Sequence, residues 1–318
     1  MTGGDLGEDR ASGTFRCANA ARRRDDPALG SAPQVRRWLL LEHPGPWPVD
    51  AVAGSGITPE VLALLERTAA AQGARPLLIR RPGRQRVIAE RSWAVTYEHG
   101  LTQWGTWRHD QDLLVAAAAL SAAGPGPGAV PDPVMLVCAH GLHDACCAIR
   151  GRPVAAALGE VWPTATWECS HVGGDRFAAN VVLLPDGTYY GLLEPESAVD
   201  TVREHLQGRV GLAHLRGLSQ FAPPVQVAVA AVHERYGPLG ARDVALRGVT
   251  HTAPGCWQVE LSTAVQPGTI TVAVRSSRRA SAQLTCRAPG ATPATQYRVD
   301  DLRLSAVPAP PPAPNVAW

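Results

Sequence analysis

Apolar residues fall along this chain in short runs divided by glycine and proline, and the runs alternate between two periods. Val35 to Glu42 contains the unbroken stretch Trp38-Leu39-Leu40-Leu41, the composition of a strand buried on both faces. His43-Pro44-Gly45-Pro46-Trp47-Pro48 ends it, because each proline removes a backbone donor. From Pro59 to Gln72 the residues Val61, Leu62, Leu64 and Leu65 recur at helical spacing, and Gly73 supplies the stop. Pro76 to Arg80 and Val87 to Tyr97 read as strands, and Leu113 to Ala123 as a second helix. Together they predict a small α/β unit over residues 34–123.

Gly124-Pro125-Gly126-Pro127-Gly128 is the clearest linker in the chain. Its prolines lack the N–H groups with which a glycine-rich loop cradles phosphate, so it does not read as a phosphate site. A second unit follows over 130–210. Val134-Met135-Leu136-Val137 is a strand that ends on Cys138, and a helix begins near Cys147 and continues through Pro153 to Leu158. Thr164 to Ser170 is a strand, Gly173-Gly174 a tight turn, and Ala179 to Leu184 and Tyr189 to Leu193 are strands joined by Pro185-Asp186-Gly187. A helix from Glu196 to Leu206 is closed by Gly208. This βαβββα order is compatible with a thioredoxin-like sheet.

Residues 219–290 read as a C-terminal helix and β extension. The helix, 221–237, opens on Pro223-Pro224 and carries Val225, Val229 and Val232 on one face; Trp257 to Leu261, Thr269 to Val274 and Ala282 to Cys286 read as strands. Residues 1–33 show no hydrophobic period and are expected to form a disordered tail in which Cys17 is an incidental thiol. At the other end, 304–318 is a Pro/Ala-rich tail, with Pro308 to Pro314 suited to polyproline II.

Composition narrows the class. Of 318 residues, 45% are hydrophobic and 18% charged, which is globular. The net charge of +2 is small, and arginines are interspersed with acids, as in Arg22-Arg23-Arg24-Asp25-Asp26, so no nucleic-acid partner is expected. No run of about 18 apolar residues exists to span a membrane, and no apolar segment follows the first arginines as a secretion signal would require. The expected location is the cytoplasm, where seven cysteines are better read as thiols or ligands than as disulfides.

Candidate chemistry lies in two loops. The first is Cys138-Ala139-His140-Gly141-Leu142-His143-Asp144-Ala145-Cys146-Cys147; the second is Cys169-Ser170-His171-Val172-Gly173-Gly174-Asp175-Arg176-Phe177-Ala178. Residues two apart in a strand share a face, so Cys169 and His171 can converge on one metal. Asp175 is the alternative fourth ligand, and Cys146 could replace Cys147. Gly173 and Gly174 supply a turn whose N–H groups can face inorganic sulfide, and Arg176 offers positive charge. His140 and His143 are further imidazoles, and Cys256 and Cys286 read as buried thiols without ligand-like neighbours.

These loops, with Arg37-Trp38-Leu39-Leu40-Leu41-Glu42-His43-Pro44-Gly45-Pro46-Trp47 before them and Arg216-Gly217-Leu218-Ser219-Gln220 after, resemble the sucrase/ferredoxin-like family over residues 34–286. That family's signature includes Cys-x8-Cys and Ser-His-x-Gly-Gly, matched here by Cys138 to Cys147 and Ser170 to Gly174. The resemblance implies a thioredoxin-like ferredoxin domain binding one [2Fe-2S] cluster, with Cys138 and Cys147 on one iron. Members with His-x3-His place both histidines on the second iron; here the second histidine is replaced by Asp175, so Cys169 and Asp175 both stay open. The implied function is one-electron transfer with a redox partner protein. Structural zinc binding and thiol redox chemistry are the alternatives. No carboxylate stands in a setting that singles it out for glycoside hydrolysis, and no Gly-x-Ser-x-Gly occurs, so hydrolase activity is not expected.

Overall fold

The computed structural model describes residues 14–83, 89–97 and 100–305. It is an α/β protein with two sheets. The first has nine strands. β1 (Arg37–Glu42), α2 (Pro59–Ala71), β2 (Ala74–Arg80), β3 (Arg91–Tyr97), β4 (Leu101–Trp107) and α3 (Leu113–Ser121) form its first half, preceded by a short helix α1 (Cys17–Arg23). β5 (Val134–Cys138), α4 (Ala145–Val161), β6 (Thr166–Cys169), β7 (Val181–Leu184), β8 (Thr188–Tyr190) and α5 (Pro195–Leu206) form the second, and β9 (Leu215–Leu218) adds an edge. The strand order is β4-β3-β1-β2-β6-β5-β7-β8-β9.

The two halves share one topology. In each, the first two strands are parallel, the third runs antiparallel to the first, and the fourth antiparallel to the third. β2 and β6 then pair antiparallel through Ile79–Cys169 and Arg80–Glu168, so the halves meet edge to edge. Neither edge is left as an open template for association. A core cluster shared by both halves, including Trp38, Leu40, Ile79, Leu136, Trp167 and Tyr189, makes the two expected units one continuous body.

Beyond β9, α6 (Pro223–Tyr236) is buried from Pro224 to Ala230 and again at Val232 and His233. Val225 and Val229 join one cluster with Val259, Ile270 and Val272 of a four-stranded meander, β10 (Val244–Ala253), β11 (Cys256–Thr263), β12 (Gln266–Ala282) and β13 (Thr292–Ser305). The expected strand Ala282 to Cys286 is not formed: β12 ends at Ala282, and the chain turns before Cys286. The expected disorder of 1–33 also fails from Thr14 onward. α1 is built of small residues, and Cys17, Ala18 and Ala21 are buried without the large apolar side chains a periodicity search detects. Residues 1–13 and the Pro308 to Pro314 segment lie outside the described residues.

Candidate metal centre

β5 and β6 are parallel neighbours that end level with one another, on Cys138 and Cys169. The chain leaves β5 through His140 and His143 and re-enters helix at Asp144, the N-cap of α4, whose carboxylate accepts from Cys146 N at 2.9 Å. That cap puts Cys147 in the first helical turn, fully buried. After β6, Arg75 of β2 grips the backbone, donating to His171 O at 2.8 Å and Val172 O at 3.1 Å. Gly173 and Gly174 follow at φ +91° and +80°, a left-handed pair that turns Asp175 back toward Cys147.

The donor atoms of Cys138, Cys147 and His171 lie within 4.8 Å of one another, as do those of His143, His171 and Asp175. Asp175 joins the two groups: its Oδ1 is 2.9 Å from His171 Nδ1 and accepts from Cys147 Sγ at 3.2 Å. The His143 ring stacks on that of His171 at 3.7 Å. His171 Nδ1 is buried and, despite the near carboxylate, has no hydrogen-bond partner in line. Two thiols, an imidazole and a carboxylate, with that nitrogen unsatisfied, are a donor set that could hold a metal ion.

Electrostatics point the same way. The Cys138 thiol is held well below its ordinary range by the Cys147 thiol and, beyond the opposing cost of burial, by His171 and the Val172 N–H. Cys147 is pushed up by the Cys138 sulfur, burial and Asp175, so the pair shares one proton. Burial alone would lower His171, but Asp175 and the Cys138 sulfur outweigh it and raise it to about 9. Burial opposes ionisation of Asp175, and His171 still brings its carboxyl below the ordinary value. Charge is thus already separated in the donors.

A family model described as sucrase/ferredoxin-like matches residues 28–217, more than half of the chain. The chain belongs to the sucrase/ferredoxin-like family. No curated protein and no solved structure matches it. The match stops short of the 34–286 span expected above, leaving α6 and the second sheet outside the sucrase/ferredoxin-like region, and α1 before it. Both loops, and every donor just described, lie within it.

Of the residues expected at this sucrase/ferredoxin-like site, Cys138, Cys147, His171 and Asp175 come together and Cys169 does not. β6 ends at Cys169, two residues short of His171, so the alternation that would have aligned the two side chains is not present. Cys169 is fully buried in the apolar cluster common to the two halves, and burial raises its thiol well above the ordinary value. Cys146, next in sequence to Cys147, turns away into a different group of thiols. His140 is spent on Pro48 O at 2.7 Å, its ring edge-on to Trp47.

Arg176 is likewise elsewhere, 3.6 Å from Asp26 and over the Phe177 ring. The cation behind this site is Arg216, 1% exposed. It donates to Gly173 O and Asn180 Oδ1, both at 2.8 Å, and to Ser31 O at 2.7 Å. Burial lowers its pKa to about 10, partly countered by Tyr189, Cys138 and Asp175, so it stays charged. An arginine between apolar Leu215 and Leu218 was the available sequence signal. A cavity of about 360 Å3 opens beside His143 and His171, walled by Val49 to Val52 and Arg75 of the first half. A larger cavity, about 790 Å3 and lined by Arg81, Trp104, Trp162 and Trp167, holds no such donor group among the described residues.

Proposed function

We propose that this chain binds a [2Fe-2S] cluster and passes electrons singly to a partner protein, with Cys138 and Cys147 on one iron and His171 and Asp175 on the other. The observation that carries this reading is the double reach of Asp175, to Cys147 and to His171, which makes two donor pairs of the four side chains. The cluster would supply a one-electron couple; the protein tunes it. Imidazole in place of thiolate leaves the site less negative and raises its potential relative to all-cysteine ligation. Arg216, charged and held against the Gly173 carbonyl, acts in the same sense by favouring the added electron. The Val172 N–H directed at Cys138 does so too.

The first half orients and covers. Arg75 fixes the backbone at His171, and the carbonyls of Pro48 and Val49 lie against His140 and His143. The partner protein would approach the His143–His171 side, where the His171 side chain keeps 19% of its exposure. Cytoplasmic location is part of this proposal; among the described residues no helix is long and apolar enough to cross a membrane.

The test is iron, acid-labile sulfide and zinc assayed on chain purified without oxygen, with visible and reduced-state EPR spectra. Equal iron and sulfide, two of each per chain, is the expected result. Asp175→Ala should alter the EPR signal and Cys169→Ser should not; the reverse would restore Cys169 as a ligand. Mononuclear zinc is the second reading, favoured by how closely three donors crowd a single point. Colourless protein whose zinc is lost in Cys147→Ser would establish it.

A further inference from the structure

The cysteine beside Cys147 faces a different set of partners. Cys146 Sγ stands 3.5 Å from Cys286 Sγ, and Cys286 Sγ stands 3.6 Å from Cys17 Sγ. Both carboxylate oxygens of Asp144 lie 3.6 Å from Cys17 Sγ. All four donors fall within 4.8 Å of one another. They come from three sequence-distant places: α1, the first turn of α4 with its N-cap, and the segment after β12. Cys17 and Cys286 lie outside the matched family region.

We propose that Cys17, Asp144, Cys146 and Cys286 form a second metal site, structural in role, that takes one zinc ion. Tetrahedral zinc with Zn–S bonds of about 2.3 Å separates its sulfurs by about 3.7 Å, close to the spacing here. A disulfide does not account for the group as well. It would use two sulfurs drawn to about 2.0 Å and leave a third beside them. Nor is this ordinary packing, because Asp144 is 1% exposed and has no arginine in an ion pair among the described residues. Two backbone N–H groups reach this carboxylate, and a cation among the three thiols would supply the charge partner it lacks.

The surroundings suit thiolate ligands. The Cys17 N–H donates to Cys286 Sγ at 3.4 Å, and the Cys286 N–H to Asp144 Oδ2 at 2.7 Å, which fixes the carboxylate without using all its lone pairs. Arg176 lies within electrostatic range of Cys17 and, with Arg24 and Arg279, gathers on Asp26, so cationic charge flanks a site that would be net anionic. Cys286 is only partly buried and gives the ion a way in. Binding deprotonates the thiols and releases their protons to solvent. The ion would tie α1 and the second sheet to the first turn of α4. That turn also carries Cys147, so the staple holds a ligand of the other site in place.

The experiment counts metals on the full chain. Wild type should carry one zinc besides any iron. Cys286→Ser should lose the zinc and keep the visible spectrum; Cys256→Ser, at a thiol just as partly buried but outside the group, should keep both. Cys286→His, which retains a zinc donor, should restore the metal. A second arm leaves the proposed zinc ligands intact and uses Cys138→Ser/Cys147→Ser, with the first site disabled: added Co2+ should give the thiolate charge-transfer and ligand-field bands of a tetrahedral ion, and Zn2+ should displace it. Absence of those bands, zinc unaffected by Cys286→Ser, or a Cys146–Cys286 disulfide in anaerobic protein would each overturn the proposal.

Discussion

The two halves of the nine-stranded sheet share one topology and differ in their loops. At the end of β5 stands Cys138, with His140, His143, Asp144 and Cys147 packed into the next nine residues. At the end of β1 stands Glu42, whose carboxylate is spent on Ser92 N at 2.8 Å, and the connection to α2 holds one histidine and six prolines or glycines, with Trp47 and Val49 turned toward the other half. After β6 the chain makes the left-handed Gly173–Gly174 turn that delivers Asp175; the end of β2 supplies Arg80, and the next residue Arg81, which bind Glu168 and the carbonyls around Thr164. The scaffold is therefore indifferent to chemistry, and its strand ends decide it. The first half has become the second half's wall.

The largest expected effect tests that division directly. Cys138→Ser should remove the iron of the proposed cluster while sparing the zinc proposed at Cys17, Asp144, Cys146 and Cys286, whereas His43→Ala, in the corresponding loop of the first half, should leave both metals unchanged by assay. Metal loss in both would mean that the first half supplies more than a wall. Next in size is the seam. Arg80 and Glu168 are register partners across β2–β6, 2.7 Å apart with side chains only 14% and 7% exposed. Glu168→Ala leaves the Arg80 guanidinium buried on the Trp47 ring and should cost about 3–5 kcal/mol in urea unfolding. If the halves were independent, that loss would appear as two transitions instead of one weakened transition.

Strong local patterns carried much of this fold. The helix expected over Pro59 to Gln72 forms over Pro59–Ala71, and Glu196 to Leu206 forms over Pro195–Leu206, because both have clear apolar stripes and stops. Strands with polar or exposed residues were not legible. β10 leaves nine of its ten residues outside the buried class, and β13 presents almost none to a core, so no alternation marks them. At the site, Cys138, Cys147 and His171 were readable because a motif spaces them. Asp175 is the less obvious donor from sequence because a thiolate is the commoner cluster ligand and a strand continuing through His171 would align Cys169 with it, but β6 ends at Cys169. Arg216 and the pairing of Cys17 with Cys286 depend on contacts between residues far apart in sequence, which no local pattern encodes.

Two glycines sharpen the comparison at smaller scale. Gly174 sits at φ +80°, and a Cβ there would stand 2.3 Å from Arg216 Nη2. Gly174→Ala must strain the backbone and displace a buried cation, at about 2–4 kcal/mol. Gly73, closing α2 in the first half, has φ +57° with nothing within 4 Å of its Cβ position. Gly73→Ala should cost only about 1 kcal/mol, the backbone strain alone. Equal losses in thermal or urea unfolding would show that Arg216 yields freely, and would remove it from the account of the site.

The smallest effect is a pH dependence confined to the first half's loop. His43 Nε2 is 3.0 Å from Ser55 O, and its Nδ1 accepts from Gly45 N at 3.2 Å, an arrangement that fits the neutral ring with its proton on Nε2. Burial lowers its pKa below 6.5, opposed by the Ser55 carbonyl and aided by Arg91. The folded ring is thus the weaker base, and above 6.5 neither state is charged and the group contributes nothing to pH dependence. As pH falls through that value the unfolded chain takes the proton first, and folding stability declines until the folded ring also protonates. Because the side chain is only half-buried, the loss should be a few tenths of a kcal/mol. Urea midpoints of wild type and His43→Gln between about pH 7 and pH 5 should converge on acidification, since the variant lacks the titrating ring. Parallel curves would mean that the loop after β1 accommodates a charged His43, and that its carbonyl and amide contacts are incidental to the wall it forms.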